Sequence, residues 1–289
     1  MFKEDLEAYA RLVDTYLAQL PWEKNTLTES MKYSLEAGGK RIRPVLALAA
    51  AEAVGGDKEA ILPAACALEL IHTYSLIHDD LPAMDDDDYR RGRLANHKVF
   101  GEGQAILAGD ALLTYAFELL AQPLKGVTLE SQLRVIREVA QGAGYQGMVK
   151  GQILDLAAEK KQLTLSEVEE IHRCKTGALL IASARLGGIL AGGTEEEILA
   201  LTRYATAIGL AFQIKDDILD IEGDSATLGK PAQSDLRQEK STYPSILGME
   251  GAKKELEHKT EEAHKALEIL GERASFLHEL ADYIAQRKH

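Results

Sequence analysis

Cysteine is nearly absent from this sequence. Of 289 residues only Cys66 and Cys174 carry thiols, each inside an apolar or mixed helical stretch with no partner nearby. That excludes a disulfide framework and a cysteine-based metal site, and buried thiols are expected. A basic excess is missing too. Lys and Arg total 33 against 46 Asp and Glu, giving a formal charge of −13 and a pI near 5.2. This balance argues against nucleic-acid binding, which needs a broad basic face. The N-terminus, Met1-Phe2-Lys3-Glu4-Asp5-Leu6, places charges where a signal peptide needs an apolar run. No uncharged apolar stretch approaches the roughly 18 residues that span a bilayer. A soluble, cytoplasmic protein without stable membrane insertion is expected. Two further absences bear on the fold. No run of alternating β-branched residues suggests a sheet, and no Ser/Pro-rich linker or low-complexity tract divides the chain.

What remains is helix-forming material. Apolar residues make up 46% of the chain, ample for one large core. Residues 4–20, 26–37, 44–54, 58–80, 102–121, 128–158, 166–190, 194–221 and 249–286 are rich in Ala, Leu, Glu and Lys, with apolar residues three and four apart. Breaks fall at Gly38-Gly39, Gly55-Gly56, Pro82, Gly92, Gln122-Pro123, Gly192-Gly193 and Gly223. The pattern predicts one all-α domain over residues 1–289, with roughly ten helices.

Two acidic clusters stand out. The first is Asp79-Asp80-Leu81-Pro82-Ala83-Met84-Asp85-Asp86-Asp87-Asp88; the second is Asp216-Asp217-Ile218-Leu219-Asp220. They form a faint internal echo, each ending an apolar helical run. On a helix Asp216 and Asp220 lie about 40° apart, and Gln213 shares their face. Asp79 and Asp85 would sit about 240° apart on a straight helix, so they converge only if the helix ends near Leu81, as Pro82 favours. Two carboxylates ~4 Å apart repel by ~4 kcal/mol at an effective dielectric of 20. A solvated loop relieves this by pointing outward. Two clusters at helix ends above a core point instead to hard divalent cations held by oxygen ligands, of which Mg²⁺ is the fitting one.

Basic residues cluster against the overall balance. Gly38-Gly39-Lys40-Arg41-Ile42-Arg43-Pro44 sits at a helix boundary, where glycines permit close approach and Lys40 and Arg43 can grip phosphate oxygens. It lacks the spacing of a nucleotide-binding loop. Arg90-Arg91-Gly92-Arg93 follows the acidic run, and simple neutralisation of that run is the plainer reading. His72 lies seven residues before Asp79, near the same face; a core histidine is the alternative. Lys175-Thr176-Gly177, Gly229-Lys230-Pro231 and the Gln152/Asp155 pair add polar candidates.

In order, G-G-K-R-I-R-P, H-D-D-L-P-A-M-D-D-D-D-Y-R-R-G, G-Q-x-x-D, K-T-G, Q-I-x-D-D-I-L-D and G-K-P…K-S-T-Y-P resemble the motifs of trans-prenyl diphosphate synthases across roughly residues 25–250. One departure is Pro231-Ala232-Gln233-Ser234-Asp235, which lacks the second lysine or glycine often found before that aspartate. The resemblance implies a helical bundle of the isoprenoid synthase type with a central cavity. It implies an allylic diphosphate (dimethylallyl or geranyl) held by metal at Asp79, Asp80, Asp85, Asp216 and Asp220, with Asp217 in support. About three Mg²⁺ are implied, with Mn²⁺ as a substitute. Arg90, Lys175 and Lys230 would assist the leaving pyrophosphate, and Lys40, Arg43, His72 and Arg91 would hold isopentenyl diphosphate. Gln213 and Thr176 would face the developing cation. In farnesyl-producing members an aromatic five residues before the first aspartate, here Tyr74, floors the chain pocket beside a small Ser75. Helix geometry alone leaves Tyr74 as core packing, ~7.5 Å deeper than Asp79 and about 140° away in azimuth. The resemblance also implies a homodimer. A geranylgeranyl product and a non-catalytic regulatory subunit are the alternatives; the latter would be expected to have lost an acidic motif.

Overall fold

The computed structural model describes residues 2–158, 161–222 and 241–287. The helices in chain order are α1 (Phe2–Ala18), α2 (Thr26–Leu35), α3 (Ile42–Ala53), α4 (Leu62–Asp79), α5 (Asn96–Phe100), α6 (Glu102–Ala121), α7 (Leu129–Ala143) and α8 (Met148–Ala158). After them come α9 (Leu165–His172), a π-turn (Arg173–Gly177), α10 (Ala178–Leu190), α11 (Glu195–Glu222), α12 (Tyr243–Ala266), a 3₁₀ turn (Glu268–Ala274) and α13 (Ser275–Gln286). The fold is all-α.

Local chemistry sets the starts. Asn25 caps α2 by accepting from Thr28 N (3.0 Å), and Thr28 Oγ1 accepts in return from Asn25 N (3.3 Å). Thr164 and Glu167 box the start of α9, and Thr242 and Ser245 do so for α12. Burial sorts the helices into layers. α3 and α10 are Ala-rich and buried almost all round, as inner helices must be. α7 buries only Gln132, Val135, Val139 and Ala143, one stripe at helical spacing. The inner helices α3, α4, α10 and α11 pack on one another, with α6 against α4 and α12 against α11. One contiguous apolar core runs from Leu6 to Ile284. Among the described residues α6 alone is long and apolar enough, by length and composition, to cross a membrane. In this fold it lies against α2, α4, α5 and α7.

Several boundaries differ from the sequence reading. The helix expected over 128–158 is broken at Gly144-Tyr145-Gln146-Gly147, because glycine at both ends frees the backbone to turn. The helix expected over 249–286 begins at Tyr243, bends at Gly248 (φ 71°) and is interrupted by the 3₁₀ turn, where Gly271 has φ 57°. Short α5 had no periodicity to reveal it. A two-strand ribbon, β1 (Tyr89–Arg90) and β2 (Arg93–Leu94), was also unexpected. Its two-residue turn is Arg91-Gly92, both at positive φ (54° and 76°), as the twist of a tight hairpin demands.

Candidate active site

α4 delivers the first carboxylates. It ends at Asp79 with Asp80 as its C-cap, and the chain then doubles back. Asp85 N donates to Asp79 O (2.8 Å) and Asp86 N to Leu81 O (3.1 Å). This is the convergence that a helix ending near Leu81 allows. Burial foremost lifts the Asp79 carboxyl to about 6, with Lys175 opposing and Asp85 adding to the rise. Asp80 is 2% exposed and accepts from Arg90 Nε at 2.9 Å. Arg90 also reaches Asp87 at 3.3 Å, so neutralisation of the acidic run is its visible role.

α11 presents the second set mid-helix. Asp217 and Asp220 are buried, and Asp217 accepts from the backbone N–H of Tyr243 at 2.9 Å. That N–H is one of the donors left open by the first turn of α12. Asp216 pairs with Arg287 at 2.7 Å. The same guanidinium donates to Phe212 O (3.0 Å) and lies 4.0 Å above the Phe212 ring. Sequence reasoning missed Arg287, which no local pattern ties to Asp216.

The π-turn joins the two sets. Lys175 Nζ binds Asp155 Oδ2 at 2.7 Å. Burial works against the charge of Lys175, but Asp155 and Asp79 together hold its pKa above the usual value. Thr176 Oγ1 donates to Gln213 Oε1 at 2.7 Å. Gly209 permits that approach: a Cβ there would stand 3.2 Å from the Cα of Gly177. Asp155 is thereby tied into the site, and the Gln152 amide beside it is buried without a hydrogen-bond partner among the described residues.

Beneath lies a cavity of about 350 Å³ whose lining includes Lys40, Arg43, Glu69, His72, Arg91, Thr176 and Phe212. All four residues expected to grip a second diphosphate reach it. Burial presses the pKa of each downward. Arg43 falls to about 10, and His72 falls well below its usual range, with Arg43 and Arg91 adding to the effect. Arg91 and Lys40 are lowered too, Lys40 also by Arg287. Arg43 Nε has no partner among the described residues. Lys40, Arg41, Arg43 and Arg91 crowd a lining whose one carboxylate, among those residues, is Glu69, and an anion would relieve that excess of positive charge.

Tyr74 is buried, its ring edge-on to His78 with centroids 5.7 Å apart. Burial and then Asp79 push its hydroxyl up to about 12. Ser75 Oγ donates to His72 O at 2.9 Å. Lys230 lies outside the described residues.

Comparison with known proteins gives the family. A family model described as polyprenyl synthetase matches residues 24–278. The chain belongs to that family. Its relatives include the farnesyl diphosphate synthase of Bacillus subtilis, 49% identical over 92% of this chain and 90% of the relative. The farnesyl diphosphate synthase of Haemophilus influenzae is 48% identical over 99% of both. The geranylgeranyl diphosphate synthase of Cyanophora paradoxa is 49% identical over 96% and 93%. Among solved structures, the geranylgeranyl pyrophosphate synthetase of Pyrococcus horikoshii superposes with a TM-score of 0.91 at 34% identity, covering 99% of this chain and 98% of that one. Polyprenyl synthetases thus share this chain's fold along nearly its whole length.

Proposed function

We propose that this chain is a Mg²⁺-dependent short-chain trans-prenyltransferase. It joins isopentenyl diphosphate to dimethylallyl or geranyl diphosphate, giving mainly farnesyl diphosphate and pyrophosphate. The observation that supports this best is the occurrence of two carboxylate sets with a cationic cavity, the π-turn residues Lys175 and Thr176 reaching Asp155 and Gln213 between them. A cyclase that handles one diphosphate has no use for that cavity.

The residues suit the metal. Donors at the rim are oxygens only, and arginines already neutralise Asp80 and Asp216. Among the described residues no three His, Cys, Asp or Glu side chains converge to hold an ion by themselves. This fits Mg²⁺, which completes its shell with substrate phosphates and water. Asp79, Asp85, Asp216 and Asp220 would hold it, about three ions per site with Mn²⁺ as a substitute. Bound there, the metal supplies charge neutralisation to the departing pyrophosphate. Lys175 assists from the opposite wall, and the allylic C–O bond breaks to leave a carbocation. The Gln213 and Thr176 oxygens face the developing positive charge. Lys40, Arg43, His72 and Arg91 fix the diphosphate of isopentenyl diphosphate so that its double bond attacks the cation. The released pyrophosphate accepts the proton that is then lost.

Tyr74, with small Ser75 beside it, is the proposed floor of the chain pocket. A twenty-carbon product is the second reading, because geranylgeranyl synthases are relatives at equal identity. We further propose a soluble cytoplasmic homodimer. Its support is the apolar surface of α6 and α7, where Leu107, Leu129 and Leu133 stand exposed.

Product analysis tests the function. Incubation with the three diphosphates and Mg²⁺, followed by chromatography of the dephosphorylated alcohols, is expected to give mainly the fifteen-carbon alcohol, and none with EDTA. Tyr74→Ala is expected to shift products to twenty carbons or more. Full turnover without metal would overturn the mechanism, and an unchanged product from the variant would move the length determinant elsewhere.

A further inference from the structure

The turn that presents Lys40 and the start of α3 that presents Arg43 meet at Arg41, which lines the same cavity. Arg41 is 5% exposed and sits at φ 50°, in the left-handed region that a non-glycine residue enters only when its surroundings require it. Its backbone carbonyl starts α3 by accepting from Val45 N at 3.0 Å. Its guanidinium reaches four acceptors. Nε donates to Asp14 Oδ1 of α1 (2.8 Å), Nη1 to Glu69 Oε1 of α4 (2.9 Å) and to Gly38 O (3.3 Å), and Nη2 to Leu35 O (2.8 Å). Leu35 ends α2 and Gly38 opens the loop, so one planar fork ties both ends of the turn to two helices. Arg91 donates to the same Gly38 carbonyl. Its guanidinium fills the space where a side chain on Gly39 would stand, 2.6 Å from the Cβ position.

Glu69 is the acidic member of the cavity lining, and its side chain is 2% exposed. A bare carboxylate beside an anion-binding cavity would oppose the anion. Committed to Arg41, which lines the same cavity, it instead balances the buried guanidinium and fixes that fork in one orientation. We propose that Arg41 and Glu69 form a positioning clamp that sets Lys40, in the turn before α3, and Arg43, in its first turn, for the non-ionising diphosphate substrate. The inference rests on the reading of this cavity as that substrate's site.

Arg41→Lys keeps the charge but loses the fork, and Glu69→Gln keeps the shape but loses the charge. Each is expected to raise KM for isopentenyl diphosphate about tenfold or more, with KM for the allylic substrate within about twofold and kcat within about threefold. Asp14→Asn, at the exposed end of the fork, keeps the variant set informative if a buried change prevents folding; it is expected to raise the same KM about twofold to threefold. Unchanged KM values overturn the clamp. So does a joint loss of kcat, both KM values and thermal stability, which a merely structural role would give. Lys40→Ala and Arg43→Ala separate the two levels. If they leave KM for isopentenyl diphosphate unchanged, the reading of the cavity fails; if they raise it while the clamp variants do not, the clamp alone fails.

Discussion

The two aspartate pairs, Asp79-Asp80 and Asp216-Asp217, are alike in sequence and differ in how the fold handles them. The first stands where α4 stops, so a loop must fold back to bring Asp85 to it. The second stays inside α11, where helical spacing aligns Asp216 with Asp220. Yet the division of labour within each pair is the same. The second member is buried and tied to the scaffold: Asp80 to Arg90, Asp217 to the first N–H of α12. The first member is less deeply buried and meets a cation of the site, Asp79 the charge of Lys175 and Asp216 the guanidinium of Arg287. A carboxylate pair here is one group for chemistry and one that fastens the chemistry in place.

The largest expected effect tests that division directly. Asp79→Ala and Asp216→Ala should each lower kcat by about a thousandfold, because they serve charge stabilisation as the bond breaks. Asp80→Asn and Asp217→Asn should retain far more activity and lose stability instead. Steady-state kinetics beside thermal melts decides it, and four indistinguishable variants would break the comparison.

Between the two scaffold members, Asp80→Asn should cost more. It leaves a partly buried guanidinium without its counter-charge, a loss of ~3 kcal/mol, or roughly 5 °C or more in Tm. Asp217→Asn keeps an acceptor for Tyr243 N and loses the charge assistance of that bond, ~1 kcal/mol and roughly 2 °C.

The first member Asp79 should behave in the opposite way. Burial holds the Asp79 carboxyl near 6, above its unfolded value, so the folded state favours the protonated form. Stability from this group is present at low pH and is lost as pH rises through the unfolded value of ~4 toward 6, a cost of up to ~3 kcal/mol. Metal-free Asp79→Asn should therefore melt a few degrees higher than the parent at pH 8 and at nearly the same temperature at pH 4. A variant less stable at both values would show that Asp79 belongs with the fastened members.

How much of this was legible beforehand follows from what each feature depends on. The helical periodicity and both acidic clusters are local patterns, so the fold class and the rim residues could be read directly. Lys40, Arg43, His72 and Arg91 were named from separate stretches, and the structure brings them to one cavity. Arg287 could not be read, because its meeting with Asp216 spans 71 positions and no local pattern marks it. Glu69 is a single acidic residue in an apolar helix, and nothing local ties it to Arg41, 28 positions away. The break at Gly144–Gly147 was marked by two glycines but hidden in a strongly helical run. The tight ribbon at Tyr89–Leu94 rests on a left-handed Arg91, a residue type that gives no turn signal.

The π-turn at Arg173–Gly177 has a consequence for how this chain can vary. Its i→i+5 pattern packs one residue more than a regular α-helix needs between the same two ends. That surplus residue is in effect an insertion held in place inside α9–α10. Lys175 and Thr176 are neighbours in the chain, yet one reaches α8 and the other α11. Deleting a single residue here would give a more regular helix between the same two ends, while a side chain within the turn would shift by one position, about 100° in azimuth. The shorter protein could pack its core no worse and still separate the lysine from one acidic set and the threonine from the other. In this segment, local regularity and activity pull in opposite directions.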